Sequence, residues 1–140
     1  MQKLAVLIVE DDFMIADCLE EILEAAGYAV CGIASTTDEA IEFGKKHNPD
    51  LGIIDLRLSN GETGTDIGAA LRPRSGFGIL YASGNPDNER FRSAVGEAII
   101  AKPYTAKSIV TALGIVRERV SGLPLSAFPP GFRLLDNPVT

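Results

Sequence analysis

The feature that most restricts this chain is an unbroken apolar run that recurs between segments of helical period. Leu4 to Val9 (LAVLIV) has no polar residue at any position. A strand with one face in water alternates apolar and polar residues, so a run without alternation reads as a strand covered on both faces. Ala29 to Ser35, Leu51 to Asp55 (LGIID), Gly78 to Ser83 (GILYAS) and Glu97 to Ala101 (EAIIA) read as four more strands. The period changes between them. Ile15, Leu19, Ile22 and Leu23 share one helical face, and Gly27 offers a stop. Thr36 or Thr37 caps a second helix that Asn48-Pro49 breaks, and Ile67, Ala70 and Leu71 mark a third after a Gly-rich loop. A short polar helix is expected in NPDNERFRSAVG, and a last one runs through Ile109, Leu113, Val116 and Val120. Five strands alternating with five helices predict an α/β fold, a doubly wound parallel sheet with helices on both faces.

With 140 residues, one domain with a sizeable core is expected. Residues 121–140 break the alternation. They hold four of the eight prolines and no helical period, and read as a Pro-rich C-terminal tail behind a domain of residues 1–120. Its Leu and Phe residues suggest that it packs on something, itself or a partner, with a frayed end as the plainer option. The net charge of -6, with no basic run, argues against a nucleic-acid partner. No apolar run approaches a membrane span, and the N-terminus lacks the order of a signal peptide. Cys18 and Cys31 are isolated, without metal-type spacing, and read as reduced, mostly buried thiols of a cytoplasmic protein.

In an open parallel sheet, ligands bind at the carboxyl ends of the strands. Glu10, Asp11 and Asp12 follow the first strand, Asp55 ends the third, Ser83 ends the fourth, and Lys102 follows the fifth. Taken singly, such acids and hydroxyls are usually helix caps, and such a lysine is usually a surface charge. Their coincidence on successive strand ends is harder to dismiss. Clustered carboxylates make a hard oxygen site suited to Mg2+. A carboxylate can also accept a phosphoryl group as an acyl phosphate, a reaction that needs positioning and charge neutralisation. A lysine supplies charge and a hydroxyl supplies a hydrogen bond. The only histidine, His47, sits in a polar helix end and reads as solvated. Phe13 and Met14 are expected to open the buried face of the first helix, Phe91 to anchor the fourth, and Arg74 to be a surface charge.

The segments VLIVEDD, IIDL, LYASG and IAKPY, in that order, resemble the response-regulator receiver domain of two-component signalling, over residues 4 to about 120. The resemblance implies a (βα)5 flavodoxin-like fold with strand order 2-1-3-4-5. It implies Asp55 as phosphoacceptor, Ser83 as switch hydroxyl and Lys102 as phosphoryl contact. It also implies Mg2+ held by Asp11 and Asp55, by Glu10 through water, and by the backbone carbonyl of Arg57. Asp12 reads as a helix-start acid. Three departures stand out: Ile99 occupies the position where the family often has an aromatic switch residue, Ser59 replaces a usual proline, and Gly84 replaces a usual alanine. LYASG is similar to a subfamily marked by Phe-Ala-Thr-Gly, usually without a DNA-binding output. Tyr104 is a usual residue at its position and reads as structural.

The implied function is that of a stand-alone response regulator. A sensor histidine kinase or phosphotransfer protein phosphorylates Asp55, and the face of the fourth and fifth strands and helices changes its affinity for a downstream protein. A homodimer through helices four and five, or through the tail, is left open. The chain is expected not to be an enzyme beyond its own phosphorylation and dephosphorylation. A phosphatase with an aspartyl-phosphate intermediate needs a second Asp where Arg57 stands, and a flavin binder would not put EDDFM in its phosphate loop. The alternative is a phosphorylation-independent pseudo-receiver, a scaffold for partners.

Overall fold

The computed structural model describes residues 3–56, 64–71, 76–86 and 94–136, with side chains in the third helix from Ile67 onward. Most of the helix expected in residues 85–96 lies outside the described residues, as do Arg57, Ser59, Arg74 and Phe91. The elements in order are β1 (Ala5–Val9), α1 (Phe13–Ala25), β2 (Ala29–Ala34), α2 (Thr37–His47), β3 (Leu51–Asp55), α3 (Gly64–Leu71), β4 (Gly78–Ser83), β5 (Ala98–Ala101), α4 (Ala106–Val120) and β6 (Phe132–Leu134). α4 is the helix that the sequence places fifth.

The strands form one sheet of order β2-β1-β3-β4-β5-β6. The pairs from β2 to β5 are parallel, and β6 joins β5 antiparallel. The unbroken apolar runs serve two cores, because successive side chains point to opposite faces. Val6, Ile8, Leu51, Ile53, Leu80, Ala82, Ala98 and Ile100 face α1 and α4. Leu7, Val9, Ile54, Ile79, Tyr81 and Ile99 face the side of α2 and α3. Each full burial of a Val, Leu or Ile is worth about 1.5–3 kcal/mol. Both faces therefore hold the strand register, since a slip of one residue would exchange the two cores.

Caps place the helices. Asp12 accepts hydrogen bonds from Met14 N and Ile15 N and starts α1, which Ala26 ends ahead of Gly27 at φ 97°. Thr36, rather than Thr37, caps α2 by accepting from Glu39 N, and Asn48 ends it in the left-handed region. Thr105 and Ser108 cap α4 reciprocally. Such a cap is worth about 1 kcal/mol.

Three expectations need correction. Phe13 and Met14 are 79% and 81% exposed, not buried. They occupy the first turn of α1 at the carboxyl rim, and the buried stripe begins only at Ala16 and continues through Leu19 and Leu23. Cys18, off that stripe, is exposed, while Cys31 is half-buried. The sheet also gains a strand from the segment read as a tail. Residues 121–136 cross the end of α4, where the Glu118 carboxylate accepts from Ser126 N at 2.8 Å and from its hydroxyl at 2.7 Å, and return as β6. Phe132 and Leu135 are buried, one in each core. Among the described residues no helix is long and apolar enough to cross a membrane.

Candidate functional site

Parallel register brings the chemistry to one rim. Asp55 is the last residue of β3, level with Ala82 of β4, and Ser83 is level with Ala101, the residue before Lys102. Glu10 continues β1, its N–H donating to Ala34 O at 2.9 Å. One carboxylate oxygen from each of Glu10, Asp11 and Asp55 lies within 4.8 Å of the others. Glu10 and Asp55 are buried, and Asp11 is half-buried. Lys102 Nζ reaches between them, 3.0 Å from Asp55 Oδ2 and 3.3 Å from Glu10 Oε1. Five of the six residues that the sequence places in the site are therefore described at this rim. Arg57, whose backbone carbonyl completes the expected metal set, lies outside the described residues.

The electrostatics are those of a site short of positive charge. Burial pushes the Glu10 carboxyl up to about 7. The neighbouring Asp55 charge adds to the rise, while the Asp12 N–H, which donates to Glu10 Oε2 at 3.2 Å, and the Lys102 charge oppose it. Burial draws Lys102 down, but its hydrogen bond to Asp55 and the Asp55 and Glu10 charges outweigh that and leave it raised. One ammonium thus serves two carboxylates, with the shorter contact to Asp55, and Glu10 is the group that burial drives toward neutrality. A hard divalent cation suits this set: the donors are carboxylate oxygens, they converge, and their buried charge exceeds what Lys102 cancels.

Ser83 is buried, and its Oγ accepts a hydrogen bond from Asn85 N at 3.0 Å. Its backbone O accepts from Lys102 N at 2.8 Å, so the ends of β4 and β5 are locked together. Ile99 is fully buried, as is Tyr81 beside it on β4, whose hydroxyl donates to Val95 O at 2.7 Å. Asp12 is spent on the α1 cap. His47 is exposed at the end of α2, near the Phe43 ring.

Beside the rim, an apolar groove of about 520 Å³ lies between α1 and the segment that joins β5 to α4, with Met14, Ile15, Cys18, Lys102 and Tyr104 in its walls. Sequence reasoning missed this groove because it assigned Met14 to the core. It also missed Arg119 and Arg133, which tie the C-terminal segment to the sheet. Arg119 Nη1 donates to Leu135 O at 2.8 Å and also to Glu97 O, and Arg133 donates to Pro86 O. No local pattern marks either arginine, since their partners are backbone carbonyls distant in sequence.

A sequence model of the response regulator receiver domain matches residues 6–114. The transcriptional regulatory protein PdtaR of Mycobacterium tuberculosis is 31% identical over 117 residues, which cover 81% of this chain and 57% of PdtaR. The phyllosphere-induced regulator PhyR of Methylorubrum extorquens is 31% identical over 110 residues, 74% of this chain and 40% of PhyR. The chain thus spans about half the length of the curated relatives it matches. Among solved structures, the signal receiver domain of a modulated diguanylate cyclase from Desulfovibrio desulfuricans G20 superposes with a TM-score of 0.74 at 26% identity, covering 86% of this chain and 98% of that one. The receiver domain of Erythrobacter litoralis PhyR superposes at 0.73 with 21% identity, covering 92% and 98%, a likeness of fold.

Proposed function

Because this chain belongs to the response regulator receiver family, we propose that Asp55 accepts a phosphoryl group from a histidine kinase or phosphotransfer protein, and that the change at the rim alters the chain's protein contacts. The observation that carries this reading is the convergence of Glu10, Asp11 and Asp55 within 4.8 Å, with Lys102 Nζ 3.0 Å from Asp55. An Asp55 carboxylate oxygen attacks phosphorus, the bond from phosphorus to the donor histidine nitrogen breaks, and that nitrogen keeps the electron pair. The rigid end of β3 aims the carboxylate, since positioning and charge supply most of the catalysis in such a transfer.

Lys102 supplies a positive charge at the Asp55 oxygens, and the Ser83 hydroxyl supplies a donor for a phosphoryl oxygen. Asp11 and Asp55 directly, and Glu10 through water, are the described groups that would hold Mg2+, which when bound offsets the negative charge of the incoming phosphoryl group. A donor protein has to land beside this rim. Exposed Phe13 and Met14 and the apolar groove offer that landing. No phosphodonor is sought within the chain, as its single histidine ends α2 just ahead of β3, whose far end carries Asp55.

The test is incubation with acetyl phosphate or phosphoramidate and Mg2+, followed by intact-mass measurement. One phosphoryl adduct is expected in the wild type, none in Asp55→Asn, and much less in Asp11→Ala or with a chelator. A wild type that takes no adduct, and shows no Mg2+-dependent beryllofluoride binding, overturns the reading. The pseudo-receiver scaffold then takes its place, a reading favoured by the buried aliphatic Ile99 where the family often has an aromatic switch residue.

A further inference from the structure

Residues 121–136 are built into the site's own support. β6 lies along β5 with Ala98 opposite Leu134, Ile99 opposite Arg133 and Ile100 opposite Phe132. Its leading end is tied to both strand ends that carry Ser83 and Lys102. Ala101 N, one residue before Lys102, donates to Gly131 O at 2.9 Å. Gly131 has φ +76°, and a Cβ there would stand 3.0 Å from Ala101 Cβ, so this close approach requires glycine. The Arg133 guanidinium donates to Pro86 O, in the loop whose Asn85 N donates to Ser83 Oγ at 3.0 Å. At the trailing end, Leu135 N donates to Glu97 O at 3.0 Å, and Arg119 clasps Leu135 O at 2.8 Å. Leu135 shares a buried cluster with Ile99, the residue opposite Arg133.

An antiparallel edge strand of three residues is a marginal pairing, and such elements open locally at a fraction of the global unfolding free energy. Its hold depends on the burial of Phe132 and Leu135 and on the contacts at its ends. One of those contacts runs through the loop that the Ser83 hydroxyl oxygen now pins.

We infer that β6 is a reversible cover on the β5 edge, released when Ser83 turns from Asn85 N–H to a phosphoryl group on Asp55. This rests on the proposed role of Asp55. Once Ser83 turns, Asn85 N–H loses its acceptor, the loop bearing Pro86 O moves, and Arg133 loses its partner. β6 then keeps its short ladder, the Gly131 contact, the burial of Phe132 and Leu135, and the Arg119 clasp, but loses its tie to the Ser83 loop. The phosphoryl group is thereby read at the far edge of the sheet through a polar relay, Ser83 to Asn85 to Pro86 to Arg133, without an aromatic residue at position 99. The relay is a two-state element that the site biases from one end and β6 from the other, so the coupling is reciprocal.

Hydrogen exchange on the full chain tests this, with intact mass reporting separately whether Asp55 carries an adduct. The readout is the amides of Ala101 and Leu135, whose acceptors lie across the seam between β5 and β6, with Leu7 of β1 as the internal reference. With acetyl phosphate or beryllofluoride and Mg2+, exchange at both amides is expected to rise by about tenfold, within the usual range of site-to-site coupling. It should not rise in Asp55→Asn, and Leu7 should not change in either protein. Arg133→Met keeps the apolar stem but removes the donors. In that variant the two amides should already exchange fast without phosphorylation, with little further rise on adding it. An adduct on Asp55 with unchanged protection at Ala101 and Leu135 overturns the inference while leaving the acceptor role standing. Protection in Arg133→Met equal to wild type overturns it as well. A wild type with neither adduct nor Mg2+-dependent beryllofluoride binding overturns both, and those two measurements identify that case.

Discussion

On the β1 and β3 side of the rim, Glu10, Asp11 and Asp55 stand at the ends of strands buried on both faces. On the β4 and β5 side, Ser83 and Lys102 lead into backbone that is laced to the C-terminal segment. The first side has a rigid core beneath it and an excess of negative charge at its tip. The second has neutral and positive groups whose positions depend on hydrogen bonds to Asn85, Pro86 and Gly131. Under the proposed function, the contrast amounts to a division of labour: a fixed half that would do the chemistry, and a half tied to the β6 edge that would report it.

The largest expected effect falls on the fixed half. Asp55→Asn should abolish the phosphoryl adduct while leaving the fold intact, since the amide is nearly isosteric and relieves crowded negative charge; mass and circular dichroism read both. An adduct surviving in that variant would break the comparison at its centre.

On the other half, Phe132→Ala should cost about 3 kcal/mol in urea unfolding, as for buried aromatics elsewhere. The ring is 9% exposed and packs edge-on against Phe128 at 4.9 Å. A cost under about 0.5 kcal/mol, the range of surface changes, would mean that the segment adds nothing to the domain.

Mg2+ should sharpen the electrostatic side of the contrast. At a hundredfold excess over its dissociation constant it should stabilise the wild type by about 2.7 kcal/mol. Asp11→Ala should lose most of this in thermal melts. Equal stabilisation of both proteins would place the metal elsewhere.

The pH dependence follows from Glu10. Its folded value of about 7 lies above the ordinary 4.5, so between these pH values the folded state binds the extra proton. This contribution is fully present below the ordinary value and is lost as pH rises through about 7, by on the order of 2–3 kcal/mol. Glu10→Gln should flatten that slope in metal-free urea melts compared at about pH 5 and about pH 8. An identical slope in the variant would show that Glu10 is not the group under strain.

The smallest change in stability belongs to Phe13→Ala, within about 0.5 kcal/mol because the side chain is 79% exposed. Its effect should appear instead as slower phosphotransfer from a protein donor, with unchanged labelling by acetyl phosphate. Slower labelling by both would move Phe13 from the landing surface into the site's support.

Much of this was legible in the residues before any coordinate. The unbroken runs gave strands buried on both faces, and strand ends in a parallel sheet share one rim, so Glu10, Asp11, Asp55, Ser83 and Lys102 could be collected there from order alone. Periodicity failed at Phe13 and Met14, because it reports which face of a helix is apolar but not how far the sheet extends beneath it. It failed again at β6, a three-residue strand behind prolines, whose pairing with β5 is non-local and whose anchors are arginine bonds to distant carbonyls.

What the sequence by itself determined is the alternation of strand and helix and the identity of the charges at the strand ends, because both depend on local period and chain order. Tertiary structure alone decided that Lys102 bridges Asp55 and Glu10, that burial brings Glu10 to about 7, and that the C-terminal segment closes the β5 edge. Each of those depends on which groups lie within a few ångströms through space and how much water is excluded around them, which a linear pattern does not encode.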